Sequence, residues 1–367
     1  MQARAKGNQD QPAAKRCRVC GLGGSQVSAG LAVCGDCFCA QPGRALALAE
    51  ATHRHTREVV GLPVVPPHTP GGVQCPLCVQ QCRLGEGERG YCALRTARGG
   101  RLVHLAGTRS TGLLHWYPDP LPTNCVANWV CPGSQKRGRH NLAVFYASCT
   151  LNCLFCQNWQ FREQALRSAR RLSAAALAET ATAATYCVCF FGGDPSSQIL
   201  HALATAERLA RRRVVVCWET NGTSNAKLLD HAVALPLATG GCVKFDLKAY
   251  DENLHRALTG SSNQRTLENF ARAARRFVDR PQPPPLVAST LLVPGYVTPE
   301  EVGRIARFIA GLNPLIPYAL LAFAPQFYMS DLPRTSLEHA EAAAAAARAA
   351  GLTQVRISNR HLLSSDS

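Results

Sequence analysis

The chain has 367 residues, 46% of them hydrophobic, with 18 cysteines and a net charge of +16. That is room for one large α/β domain with a small appendage and a sizeable core, and no apolar run approaches the roughly 18–20 residues of a membrane span. The basic, polar start MQARAKGNQDQPAAKR is not followed by a signal-peptide apolar stretch, which marks 1–16 as a disordered tail and the chain as cytoplasmic. Cysteines at ligand-like spacing in that compartment read as reduced, metal-binding thiols rather than as a disulfide framework. The charge excess is nearly all arginine, spread along the chain and gathered at helix ends such as Arg211, Arg212 and Arg213, where cations offset the helix dipole. It reads as solvated helix faces and does not single out a nucleic-acid partner.

Residues 17–62 open with Cys17-x2-Cys20, thirteen residues, then Cys34-x2-Cys37, with Cys39 just after. Two paired knuckles at this separation are the pattern of a zinc ribbon, because each turns two thiolates toward one tetrahedral ion; Cys39 is an alternative to Cys37. Residues 44–62 have helical periodicity. His53 and His55 are two apart, do not share a helix face, and read as exposed polar residues. The proline-rich run 63–70 is a stiff linker. It opens a segment, 63–140, with a second set: Cys75-x2-Cys78-x3-Cys82, then Cys92. Four thiolates suit either zinc or an auxiliary iron–sulfur cluster. Strand and hairpin follow over 101–116. Cys125 and Cys131 in LPTNCVANWVCPGS are open to three readings: buried small hydrophobes, a redox pair, or a ligand for a centre elsewhere.

From 141 the pattern alternates. Strands are expected at 141–147, 186–191, 213–219, 241–248, 287–293 and 317–323, with amphipathic helices near 172–184, 196–211, 224–234, 264–278, 298–311 and 335–350. Alternation implies a parallel sheet with right-handed crossovers, and six units suggest an open, partial (β/α)6 barrel over 141–330 with a C-terminal helix and extension over 331–367. In such sheets the chemistry sits at the strands' C-terminal ends. The polar features fall there: Cys149-x3-Cys153-x2-Cys156, Gly192-Gly193-Asp194-Pro195, Glu219-Thr220-Asn221-Gly222, Asp246-Leu-Lys248 and Val293-Pro294-Gly295. Cys187, Cys189, Cys217 and Cys242 lie within strands and read as core. Three thiolates in one loop leave a position of a four-iron cluster open.

The Cys149-x3-Cys153-x2-Cys156 loop followed by GGDP resembles the radical S-adenosylmethionine (SAM) superfamily, over roughly residues 141–323. KFDLKAYDENLHRALTGSSNQRTLENF (244–270) and LLVPGY (291–296) are similar to the pyruvate formate-lyase activating enzyme group. The upstream cysteines through Arg95, CQNWQ (156–160) and FAPQFYMSDLPRTS (323–336) resemble the AmmeMemoRadiSam-system radical SAM proteins. The resemblance implies that Cys149, Cys153 and Cys156 hold a [4Fe–4S] cluster whose open iron is chelated by SAM. It implies that Gly192 and Gly193 let the strand-end backbone approach the methionine moiety, that the Asp194 backbone accepts from the ammonium, that Phe155 sits at the adenine side, and that Val293 and Pro294 line the adenine pocket. Glu219, Thr220 and Asp246 match positions that bind a monovalent cation beside the carboxylate in the activases, with Glu219 one methylene longer than their Asp; Lys248 is placed to neutralise that carboxylate directly. The implied activity is reductive cleavage of SAM to a 5′-deoxyadenosyl radical that abstracts hydrogen from an unidentified substrate, a protein or peptide among the candidates, with a flavodoxin- or ferredoxin-type electron donor. Alternatives are a glycyl radical enzyme activase, an electron-transfer protein with Cys125 or Cys131 as fourth iron ligand, and a zinc-ribbon nucleic-acid binder with an inactive barrel.

Overall fold

A computed structural model describes residues 15–160, 162 and 169–364. Residues 1–14 of the expected tail lie outside these; Lys15 is held by Asp331 at 2.9 Å. Two small hairpins come first: β1 (Val73–Gln74) with β2 (Arg83–Leu84), and β3 (Arg95–Arg98) with β4 (Arg101–His104). The second closes on Gly99 and Gly100, both at positive φ, as a tight two-residue hairpin turn demands.

The remaining strands are β5 (Gly112–Pro120), β6 (His140–Tyr146), β7 (Arg170–Leu172), β8 (Thr185–Phe191), β9 (Val215–Thr220), β10 (Val243–Asp246), β11 (Leu286–Leu292), β12 (Tyr318–Ala322) and β13 (Val355–Ser358). They form one open sheet of order β13-β12-β11-β10-β9-β8-β6-β5-β7. All pairs from β6 to β13 are parallel, and β5 runs antiparallel to both β6 and β7. The expected α/β architecture around a parallel sheet is present, but larger than six strands. β13 adds a seventh parallel strand, and β5 and β7 extend the β6 edge. Neither β7 nor β13 has the apolar run of a buried strand: most of their residues are exposed or half-buried, so the sequence does not advertise them.

The helices follow their expected positions with shifted ends. Ile199–Arg211 buries Ile199, Leu203, Ala206 and Leu209, one stripe at helical spacing, each large side chain contributing about 1.5–3 kcal/mol. Pro299–Leu312 starts at Thr298, whose hydroxyl accepts from the Glu301 N–H, with proline at the first helical position. Ala226–Thr239 runs beyond its expected end, through Pro236 to the left-handed cap Gly240. The helix expected over 172–184 is only Ala174–Glu179, because Thr182 and Thr185 capture local backbone and side-chain groups after it.

The N-terminal helix Pro42–Glu58 packs on Glu252–Thr259. His53 is buried there, correcting its reading as exposed: Nε2 meets the Ala257 carbonyl at 2.9 Å and Nδ1 accepts from Asn152 Nδ2 at 3.1 Å. His55 does lie at the surface. Burial holds His53, His201 and His255 down to a pKa of about 4. Each is neutral in the folded protein and gains a proton on unfolding below about 6.5. The stability they contribute is full above that value and is lost as pH falls toward 4. Denaturation midpoints are expected to drop steeply between these limits; a flat profile there contradicts the assignment.

Candidate active site and thiol centres

The loop Ser148–Cys156 leaves β6 and is pinned on both sides. Asn152 N–H donates to the Thr259 carbonyl at 2.8 Å and Leu154 N–H to Leu258 at 3.0 Å, fixing it to the end of helix Glu252–Thr259. Thr150 shares a hydroxyl contact of 2.7 Å with Thr223 and accepts from Asn221 Nδ2 at 2.9 Å, fixing it to the turn after β9. With both flanks held, Cys149, Cys153 and Cys156 face one cavity of about 220 Å³.

Its walls bring together residues far apart in sequence. Gly192 and Gly193 follow β8, both at positive φ. A Cβ on Gly192 would meet the Phe145 ring, and one on Gly193 the Tyr146 carbonyl oxygen, each at 2.0 Å. Only glycine passes between the strand ends here. Asp194 lines the cavity, with its carboxylate committed: it accepts from Ser196 N–H and Asn221 N–H, both at 2.7 Å, and from Thr220 Oγ1 at 3.2 Å. Its carbonyl accepts from Ser197. Thr220 therefore spends its hydroxyl on Asp194. Lys248 Nζ lies 2.6 Å from Asp246 Oδ2 and 5.4 Å from the centre of the Phe155 ring. Asp246 and the neighbouring thiols hold the Lys248 ammonium above its usual range despite burial. Glu219 lines the same cavity and reaches Lys244 Nζ at 3.3 Å.

Val293 and Pro294 are buried but do not face this cavity; Leu291 and Leu321 do. The Val-Pro-Gly-Tyr turn serves the N-terminus instead. Tyr296 hydroxyl donates to Val33 carbonyl at 2.8 Å and accepts from Ser28 N–H at 3.0 Å. Arg57, Tyr91, Cys92, Arg162 and Asn221 also line the cavity. Asn221 and Cys92 belong to motifs read in sequence, Cys92 to the second cysteine set; Arg57, Tyr91 and Arg162 have no such signal, since they arrive from the N-terminal helix, the second cysteine segment and the stretch after the loop.

Burial pushes the Cys149 thiol up, reinforced by Asp194, and raises Cys153 to about 11, with Lys248 opposing. Loading a metal there would displace protons. The donor set, one buried and two half-buried cysteines around a cavity with no other cysteine ligand but Cys92 on its wall, fits an iron–sulfur cluster.

The Cys17, Cys20, Cys34 and Cys37 sulfurs all lie within 4.8 Å of one another. Cys17–Cys37 and Cys20–Cys34 are each 3.7 Å apart, close to the ~3.8 Å edge of a tetrahedron with metal–sulfur bonds of about 2.3 Å. Cys37, not Cys39, completes the set; Cys39 faces Arg304 and Asp251. Among the described residues no other three ligands come so close. Cys75, Cys78 and Cys82 gather about the β1–β2 hairpin, with Cys82 Sγ accepting from Tyr91 N–H at 3.3 Å, at spacings wider than one ion requires. Cys92 joins the main cavity wall.

The strand cysteines are buried, as expected of core residues, and have a second environment besides. Cys187, Cys189, Cys217 and Cys242 are buried, but they face a second cavity of about 430 Å³. Cys125 and Cys131 line this second cavity and not the first. Phe191 and Glu219 border both.

Residues 143–309 match the Radical SAM superfamily. An isethionate sulfite-lyase activating enzyme of Oleidesulfovibrio alaskensis is 33% identical over 135 residues, and one of Nitratidesulfovibrio vulgaris is 35% identical over 133. These matches cover 36% of this chain and 40% of each relative, so the chain spans well under half the length of the curated relatives it matches. Solved structures of similar shape include a domain of pyruvate-formate lyase-activating enzyme from Bacteroides vulgatus (20% identity, TM-score 0.39, covering 47% of this chain and 99% of that one). Streptococcus suis SuiB bound to S-adenosylmethionine is another (15% identity, TM-score 0.41, covering 54% and 45%).

Replacing Cys17 or Cys34 by serine is expected to lose about one equivalent of tightly bound metal per chain, whereas Cys39→Ser keeps it; metal analysis of the purified protein reads the difference.

Proposed function

We propose that this chain, whose residues 143–309 form a radical SAM superfamily domain, is a radical SAM enzyme that abstracts hydrogen from a protein or peptide substrate. The observation that carries this is the convergence of Cys149, Cys153 and Cys156 on one cavity whose facing wall holds the Gly192–Gly193 backbone and the Asp246–Lys248 pair. When bound, the [4Fe–4S] cluster and SAM supply one-electron cleavage of the sulfonium C–S bond and a 5′-deoxyadenosyl radical.

The chain's own residues supply the rest. Three loop thiolates hold the cluster and leave one position for a non-protein ligand. Lys248 is the cation for a carboxylate; a monovalent cation held by Glu219, Thr220 and Asp246 is disfavoured because Thr220 gives its hydroxyl to Asp194, Glu219 pairs with Lys244 and Asp246 with Lys248. Gly192 and Gly193 bring main-chain polar groups to the cavity, while Phe155, Leu291 and Leu321 offer apolar surface to a purine. Asp194 keeps the rim in shape. The same reading places zinc at the Cys17 set, a cluster rather than a single zinc ion at the more widely spaced Cys75, Cys78 and Cys82, and the electron supply with an external flavodoxin- or ferredoxin-type donor.

Kinship with activating enzymes favours a second, narrower reading, that the substrate is a glycyl radical enzyme. Its signature is a glycyl radical EPR signal in such a partner after anaerobic incubation with this protein and SAM.

Anaerobically reconstituted protein given SAM and dithionite is expected to release 5′-deoxyadenosine, and Cys149→Ala, Cys153→Ala or Cys156→Ala to bring release to background. A fully loaded protein that leaves SAM intact sinks the proposal. Lys248→Met is expected to weaken SAM binding by roughly tenfold to a hundredfold, the size of a lost charge-assisted hydrogen bond, measured by equilibrium binding.

A further inference from the structure

The second cavity is walled by more sulfur than packing requires. Strand register sets three cysteines side by side: Cys189 on β8 lies opposite Cys217 on β9, and the Cys242 carbonyl, leading into β10, accepts from the next β9 residue, Trp218, at 3.0 Å. Cys187 is two residues before Cys189 and so on the same face. The segment after β5 lies over this row and brings Cys125 and Cys131 to it. Cys217 is the hub, facing Cys131, Cys187 and Cys242.

These cysteines share the wall of a partly open cavity of about 430 Å³ with polar residues such as Asn128, Asn141 and Glu219, so they are not packed on apolar neighbours alone. They also surround a cation. Lys244 is 1% exposed, and its ammonium donates to Cys189 Sγ at 3.0 Å and to Cys125 Sγ at 3.2 Å while pairing with Glu219. The Arg280 guanidinium stands near Cys217 and Cys242 and bonds the Gly241 carbonyl between them. Lys244 is the buried cation of the two and has one carboxylate partner, Glu219; ionised, metal-bound thiols beside it would add counter-charge, and the half-buried Arg280 stands on the other side of the row. Spacing distinguishes this set from the Cys17 set. There four sulfurs are close enough for one ion, whereas here no three sulfurs lie within 4.8 Å of one another and a void lies between them. Soft sulfur ligands at wider separation suit a multi-iron core.

We propose that the second cavity holds an iron–sulfur cluster ligated by Cys131, Cys217, Cys242 and one of the two β8 cysteines, Cys187 or Cys189, with Lys244 and Arg280 balancing its charge. A cluster carried on small-molecule or protein thiolates transfers by ligand exchange: each carrier sulfur–iron bond breaks as one to this chain forms, and the proton of each incoming thiol passes to the departing thiolate. The site stands apart from the loop cysteines and does not depend on SAM cleavage.

The test compares full-length protein, reconstituted anaerobically with iron, sulfide and dithiothreitol, with two variants of opposite design. Cys131→Ser/Cys217→Ser/Cys242→Ser is expected to lose about four iron and four sulfide per chain and to keep the iron bound at Cys149, Cys153 and Cys156. A variant with Cys75, Cys78, Cys82, Cys149, Cys153 and Cys156 all changed to Ala is expected to keep about four iron per chain. Unchanged iron in the first variant overturns the proposal. So does an iron-free second variant that still holds metal at the Cys17 set. Should the first variant not fold, the second decides alone. Absence of SAM cleavage with both iron counts as expected would leave this site standing and remove only the enzymatic reading.

Discussion

One buried carboxylate joins the strand ends on which the site is built. Asp194 is 3% exposed, and such a group is tolerated only with its oxygens bonded. Its acceptors are filled from the start of its own helical turn and from the end of β9, and its N–H donates to the Ser148 carbonyl at 2.9 Å at the end of β6. Three neighbouring strands are thereby held in fixed stagger at their C-terminal ends. The two glycines before it exist because the chain must cross the β6 end with no room for a Cβ. The cysteine loop hangs from this junction, so its geometry follows from the sheet.

The N-terminal segment closes against the turn after β11 by equally close backbone contact. A Cβ on Gly35 would meet the Gly295 carbonyl oxygen at 2.4 Å, and one on Gly295 would meet that of Gln26 at 2.3 Å. The four-sulfur site is thus built into the same core as the main sheet, together with Phe38, Val33 and Tyr296. A metal holding that small knot together would also set the position of the turn after β11.

Much of this was legible in sequence, for identifiable reasons. Strands buried on both faces announce themselves as apolar runs, and helices by a stripe that survives shifted ends. Strand-end motifs could be placed on one rim because topology forces them there. Edge strands such as β13 lack an apolar run and were missed. Roles that depend on side-chain direction were harder still. Val293 and Pro294 sit close to Leu291 in sequence but do not line the cavity that Leu291 borders, and the Gly295 and Tyr296 that follow them pack on the N-terminal segment. Cys187, Cys189, Cys217 and Cys242 are core, as their place in strands implies, but the cavity that they also border is not visible in a strand pattern. Arg57 and Tyr91 reach the cavity only through tertiary docking, which no local pattern records.

Among the described residues the open sheet ends on two borders, β7 and β13, and each is short and basic. β7 exposes Arg170 and Arg171, and β13 exposes Arg356. Like charges brought edge to edge repel, and short strands offer few ladder bonds in return. Part of the arginine excess therefore acts where two copies would otherwise zip their sheets together, keeping an incomplete ring of strands from completing itself with a neighbour's.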